Sequence, residues 1–433
     1  MAGAEGIVKI PELRKRVLFV LMTLAVYRIG VHVPTPGVDS AALEQVFANM
    51  KGTIFGWFNL FSGGALQKFS IFALGVMPYI SSSIIFQLLT VVVPHFHELQ
   101  KEGDQGRKKI TQYTRLGTVL LCVIQGYGIA KGLEHTNPPV VLNPGPWFEF
   151  FTVMTLTSGT MFLMWLGEQM SERGIGNGMS MIIFAGIAAG IPSGFGSTVA
   201  LYRTGELSFL RLILIALVIL ATFFVIIYVE RGARRIPVQY AKRIVGRKAY
   251  GGQTSHLPLK VNSSGVIPPI FASSLLMFPA TIATVAPFPW MQAVSGQLQP
   301  GGLLYDVLFV GLIVFFAYFY TAVTFKTDDV SENLKKSGGF IPGIRPGQAT
   351  AEYIDYVLSR VTLGGAVYIS AVCVLPSLLS QFLKVPFYFG GTSVLILVGV
   401  AMDTVAQIET FLWTRKYEGF MKHTRVRGRS AYT

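Results

Sequence analysis

The sequence predicts an all-α polytopic membrane protein with ten membrane-spanning helices and one short re-entrant segment. Three observations carry this: the composition, the spacing of the apolar runs, and the placement of the cations. Of 433 residues, 52% are hydrophobic and 13% charged, about half the charged share of an ordinary soluble domain. A soluble fold of this length would need more polar surface. The net charge of +14 would point to nucleic acid in a soluble protein, but here the location of the charge is more informative than its sum.

A spanning helix needs about 20 mostly apolar residues. Ten segments meet this in order: 17–33, 70–93, 116–133, 148–166, 179–201, 209–229, 265–288, 303–325, 361–383 and 390–413. The segment 209–229 is the cleanest. The segment 179–201 is the weakest, because Gly186, Gly190, Pro192, Gly194 and Gly196 interrupt it. An eleventh apolar stretch, 54–66, is too short to span and contains Ser62, Gly63 and Gly64. It reads as a re-entrant segment or as an interfacial helix on the outer surface. Re-entrant backbone survives at membrane depth only where protein or water surrounds it.

With the N-terminus inside and the spans alternating, 29 of the 36 Lys and Arg fall on the inner side and 6 on the outer, with Arg28 inside the first span. This asymmetry places both termini in the cytoplasm and supports an even number of spans. Only Asp403 lies well inside a span as an acid, which argues against an ion-coupled solute transporter. Arg28 lies toward the outer end of its span and is expected to snorkel to the interface. The first apolar run is long and no small-residue cleavage site follows it, so no cleavable signal peptide is expected.

Enzymatic constellations do not form. Cys122 and Cys373 both lie in apolar runs, with no CxxC metal pattern. There is no G-x-x-x-x-G-K-[ST] phosphate loop. His95, His97, His135, His256 and His423 fall outside the spans and His32 sits at a span end, so no Ser-His pair forms at depth. No cofactor is expected.

Two inner connections, about 230–260 and 326–360, are longer than joining two helices requires, and such loops are usually functional. The first carries Arg243, Arg247 and Lys248. The second carries I-P-G-I-R-P-G at 341–347, a stiff tip presenting the Arg345 guanidinium. Such cations suit anionic lipid headgroups, ribosomal RNA or an acidic protein surface.

Several long motifs narrow the reading. They are F-S-G-G-A-L at 61–66 and S-I-F-A-L-G-V-M-P-Y-I-S-S-S-I at 70–84, then M-W-L-G-E-Q-M-S-E-R-G-I-G-N-G-M-S at 164–180. The inner loops add H-L-P-L-K-V-N at 256–262 and N-L-K-K-S-G-G-F-I-P-G-I-R-P-G at 333–347, and V-P-F-Y-F-G-G-T-S follows at 385–393. Together they resemble the SecY family, the channel subunits of the bacterial Sec protein translocon, over essentially the whole chain.

The resemblance implies two inverted five-helix halves, 1–201 and 202–433, hinged near 196–208. It implies an apolar pore ring of Val76 and Ile80 on the second span, Met179 and Ile183 on the fifth, Ile270 on the seventh and Ile396 on the tenth. Both i, i+4 pairs lie on one helix face, a spacing that core packing also produces. Valine would widen the ring slightly, and methionine would make it more pliable. The implied plug is Phe61, Ser62, Gly63, Gly64, Ala65 and Leu66, expected to be weakly held for want of apolar bulk. The implied lateral gate carries Ser81, Ser82, Ser83, Gln125, Ser273 and Ser274, whose interhelical hydrogen bonds would favour closure. Arg243, Arg247, Lys248 and Arg345 would meet the SecA ATPase or a translating ribosome. SecE and SecG would be the membrane partners, anionic lipids a further contact, and secretory and membrane polypeptides with signal sequences the cargo. A small-solute secondary transporter is the alternative, and it would need a polar midplane site.

Overall fold

A computed structural model gives the fold and describes residues 10–39, 42–43, 59, 62–134, 136, 139–205, 207–240, 243–245, 248–250, 254–285, 302–383 and 391–423. The helices are α1 Pro11–Gly30, α2 Met77–Val92, α3 Pro94–Lys101, α4 Asp104–Glu134, α5 Pro146–Arg173, α6 Gly178–Arg203 and α7 Phe209–Glu230. There follow strands β1 Ala233–Tyr240, β2 Arg243–Val245, β3 Lys248–Tyr250 and β4 Thr254–Lys260. The remainder is α8 Ile267–Val285, α9 Leu303–Thr324, α10 Thr327–Lys336, β5 Gly339–Phe340, α11 Gln348–Leu383 and α12 Gly391–His423.

A helix occupies each of the ten expected segments, but its ends differ from the apolar runs. Among the described residues, seven helices are long and apolar enough to span alone, and the α2–α3 pair, bent by 96°, would be an eighth. The helix α1 does not reach that standard, because Arg14, Lys15 and Arg16 occupy its first turns. It starts six residues before the apolar run, with Pro11 in its first turn, where the missing N–H has no intrahelical partner to lose. The helices α4 and α11 likewise begin well before their apolar cores. Hydropathy marks the bilayer, whereas backbone hydrogen bonding continues into water.

The second span is shorter than expected. Residues 62–76 form turns, and α2 begins only at Met77, with Pro78 in its first turn. It stops at Val92, and Pro94 opens the bent helix α3. The segment expected to be the weakest span is one continuous helix, α6, despite Pro192.

Within the expected all-α fold the inner loops add β-structure. Strand β1 pairs antiparallel with β4 from Ala233↔Lys260 to Gln239↔Thr254. On its other edge β1 pairs with β5 at Gln239↔Phe340 and Tyr240↔Gly339, giving the order β4-β1-β5. The two loops therefore form one platform. Ile236 and Val238 point inward at strand period two. Ile236, Leu259, Ile341, Ile354 and Leu358 form the platform core. The helix α7 faces outward almost entirely, with 11% of its apolar window buried.

Candidate functional site

Five of the six ring residues come together. Val76, Ile80, Ile183, Ile270 and Ile396 are buried in one continuous cluster, with Met179 packed against it. Each is placed by a helix start. Val76 caps α2, and Ile80 N–H donates to its carbonyl at 3.1 Å. The Asn177 side chain caps α6, accepting from Met179 N at 3.1 Å and Ser180 N at 3.3 Å. That cap sets where Met179 and, one turn on, Ile183 point. Ile270 lies in the first turn of α8, and Ile396 in the second turn of α12.

A cavity of about 920 Å³ adjoins this cluster. Ile80, Met179, Ile183 and Ile270 line its apolar part, and Arg107, Lys108, Asp104 and Glu172 its charged part. Arg115 and Glu168 also line it and join α4 to α5 through two parallel bonds: Arg115 Nε donates to Glu168 Oε1 at 3.0 Å and Nη2 to Oε2 at 2.7 Å. Sequence reasoning missed this pair. The only signal was an acid two residues beyond the fourth apolar run. The cavity thus sets an apolar wall beside a mixed-charge one.

Phe61 lies outside the described residues. The rest of the expected plug, from Ser62 to Leu66, is a turn against α1 and α6. Gly63 and Gly64 hold φ of 66° and 84°, a left-handed conformation that glycine adopts without steric cost. A Cβ on Gly63 would lie 2.7 Å from the Cα of Gly186 in α6. Glycines that weakened the sixth helix as a sequence pattern thus permit backbone contact. Ala65 is fully buried in the same cluster as the ring, and Leu66 is buried in a neighbouring one.

In the expected plug Ser62, Ala65 and Leu66 are buried, and its backbone accepts bonds from α1. One expectation about this region is corrected. Arg28 does not simply snorkel: its Nη1 donates to Gly63 O at 3.0 Å. Beside it, Tyr27 Oη donates to Ser62 O at 3.1 Å. A backbone carbonyl within reach offers the guanidinium a charge-assisted bond inside the protein.

The gate residues are also bonded differently from expectation. The helix α8 packs against both α2 and α4. Yet Ser273 and Ser274 donate back to Ile270 O in their own helix, at 2.9 and 2.8 Å. Ser82 donates to Thr114 O at 2.7 Å, joining α2 to α4 on one side of the seam. Ser81 is half-buried and Ser83 lines the cavity. Gln125 is buried, with Oε1 lacking a partner among the described residues. None of these side chains bonds across the seam among the described residues. A serine in a helix reaches the carbonyl three or four residues back more readily than a neighbouring helix.

On the platform, Arg243 and Lys248 fall in the β2–β3 hairpin, and Arg247 lies outside the described residues. Arg345 is exposed at a fixed turn. Ser331 Oγ donates to Gly347 O at 2.5 Å, and Thr350 Oγ1 donates to Arg345 O at 2.8 Å. Nearby, the Lys336 ammonium, 2.9 Å from Glu332, holds that carboxyl below the usual carboxylate range. Among the described residues no group of His, Cys, Asp or Glu could hold a metal ion.

A bundle of apolar helices converging on a buried apolar cluster, with a re-entrant segment seated in that cluster, defines a channel-type multi-pass membrane protein. The family model for SecY matches residues 70–405. The chain is 53% identical over 425 residues to the protein translocase subunit SecY of Escherichia coli K12, covering 96% of each. It is 50% identical over 424 residues to that of Vibrio cholerae, again covering 96% of each. The chain belongs to the SecY family. Its fold matches a solved protein-conducting channel with a TM-score of 0.67 at 17% identity, covering 92% of each chain. It also matches Sec61 in the canine ribosome–channel complex with a TM-score of 0.63 at 15% identity and 92% coverage of each.

Proposed function

We propose that the chain forms the protein-conducting channel of a bacterial translocase. It passes unfolded secretory polypeptides across the inner membrane and releases membrane-protein helices sideways into the lipid. The observation that carries this reading is the single buried cluster uniting Val76, Ile80, Ile183, Ile270 and Ile396 with Ala65 of the re-entrant segment. A channel for any sequence must not bind the side chains that pass and must hold back ions when idle. A narrow apolar constriction meets both demands, because it dewets when empty and offers no strong site when filled. Val76, Ile80, Met179, Ile183, Ile270 and Ile396 form this constriction, and Phe61 to Leu66 form the plug.

The halves 1–201 and 202–433 part along the seam between α2 and α4 on one side and α8 and α9 on the other. The cation asymmetry, 29 inside to 6 outside, supports cytoplasmic termini. The matched relatives are protein translocase subunits, and in this reading the driving force comes from a partner. SecA or a translating ribosome engages Arg243, Arg247, Lys248 and Arg345, SecE and SecG complete the membrane complex, and anionic lipids border it.

The test is site-specific crosslinking from Ile270 to a stalled secretory chain, in inner-membrane vesicles supplied with SecA and ATP. The expected crosslink requires both the signal sequence and ATP. Its absence, with small-solute transport in its place, would refute the reading.

A further inference from the structure

We infer that Tyr27 and Arg28 are the latch of the closed channel: their side chains hold the plug tip by its main chain and release it when the channel opens. The inference rests on the channel reading above. Two successive residues of α1 grip two successive carbonyls of the plug, Tyr27 at Ser62 and Arg28 at Gly63. Tyr27 is almost fully buried, and its ring stacks on Phe72 with centroids 6.2 Å apart, so its hydroxyl is aimed rather than free.

The base of the segment is held in another way. Thr35 N donates to Phe69 O at 2.8 Å, and Ile71 N to Val33 O at 3.0 Å. Pro34 and Ser70 form the bridge between these two bonds. The base is therefore joined by main chain to residues 33–35, just beyond the end of α1, whereas among the described residues the tip is bonded to α1 through side chains. A side-chain donor lets go by changing rotamer, but the main-chain bridge parts only if the local backbone rearranges. The expected motion is a swing of the tip about the 33–35/69–71 bridge.

The third support of the tip is Gly186. Contact there is backbone on backbone, with no room for a Cβ on Gly63. Gly186 follows Ile183 of the constriction by three residues on α6, nearly one helical turn. A chain that wedges α6 outward removes the Gly186 support, and the two side-chain bonds, with the burial of Ser62 and Ala65, then oppose release. The latch thus sets how much wedging an incoming signal sequence must do. Because both bonds accept at carbonyls, they constrain the course of the backbone at Ser62 and Gly63 and not the side chains there.

The test uses the complete translocase complex reconstituted in planar bilayers, with Tyr27→Phe, Arg28→Met and the double substitution. Phenylalanine keeps the buried ring, and methionine keeps an apolar stem. Resting conductance and the concentration of synthetic signal peptide giving half-maximal opening are measured. Resting conductance is expected to rise about fivefold for Tyr27→Phe and at least about tenfold for Arg28→Met, as for loss of a neutral and a charged hydrogen bond. The half-opening concentration should fall by the same factors. Gly63→Ala, whose Cβ would crowd Gly186 Cα, the Tyr27 hydroxyl and the Arg28 guanidinium at 2.7, 2.9 and 3.3 Å, displaces the tip from all three supports and should act in the same direction. Unchanged conductance and unchanged peptide response would overturn the latch while the parent still opens. A leak that signal peptide no longer modulates would also overturn it, as general damage to the pore. A parent complex that no signal peptide opens would overturn the channel reading and the latch with it.

Discussion

At the scale of single residues, the proposed constriction depends on having no polar atom to offer water. Ile80 and Ile270 line both the buried cluster and the adjoining cavity. Replacing both with asparagine would supply hydrogen-bond partners within the proposed constriction and wet it. Single-channel recordings of the idle complex should then show conductance several-fold above the parent's; an unchanged value would remove these two residues from the constriction. Ser82→Ala addresses a different bond. Its 2.7 Å donation to Thr114 O ties α2 to α4, and its loss should cost on the order of 1 kcal/mol, leaving a buried carbonyl with one bond fewer. The buried cluster that joins Val76, Ile80, Ile183, Ile270 and Ile396 was legible in the sequence through family motifs, not periodicity, since i, i+4 pairs such as Val76 and Ile80 occur on any packed helix. Arg28 was misjudged because its acceptor, Gly63 O, lies 35 residues away along the chain. Ser273 and Ser274 were misjudged for the opposite reason: their acceptor was in their own helix.

At the scale of the element, hydropathy located the spans well and their ends poorly. It reports where a helix meets lipid, so the polar first turns of α1, α4 and α11 escaped it. It also made residues 70–76 look like helix, although Gly75 at φ 58° sits among them and the chain turns there. Glycine inside an apolar run carries two meanings that sequence does not separate, a break or a close approach. Gly391 shows the second. A Cβ there would lie on Val372 O and 2.7 Å from Cys373 Cα, so α11 and α12 touch backbone to backbone. Small residues let membrane helices pack this closely. Gly391→Val should force the pair apart at a cost of about 1–3 kcal/mol, seen as a lower unfolding temperature of the detergent-solubilised complex. A temperature equal to the parent's would mean the helices do not approach as closely as this packing requires.

At the scale of the whole molecule, charge supports the proposed topology, because 29 inner cations against 6 outer ones survive errors of several residues in any span. The platform was not legible. Its central strand, β1, takes one neighbour from its own loop and the other, β5, from a loop about 100 residues later, through only two pairs. No local pattern announces a two-residue strand. The pairing matters because it joins the two inner loops into one surface, so a partner pressing on the Arg345 turn also loads β1 and, through Gly232 and Val261, the ends of α7 and the approach to α8. Two substitutions separate contact from scaffold. Arg345 is exposed, and its guanidinium makes no hydrogen bond or ion pair with the described residues, so Arg345→Ala should leave the unfolding temperature unchanged. It should weaken binding of the cytoplasmic partner about tenfold or more, the loss falling as salt rises and screens the contact. Ile236 is 2% exposed in the platform core, so Ile236→Asp buries an unpaired charge and should lower the unfolding temperature and partner binding together. Calorimetry and equilibrium binding to SecA or to ribosomes read both. Equal loss of stability from the two substitutions would make Arg345 part of the scaffold, while unaltered binding by Arg345→Ala would move the docking site off this turn.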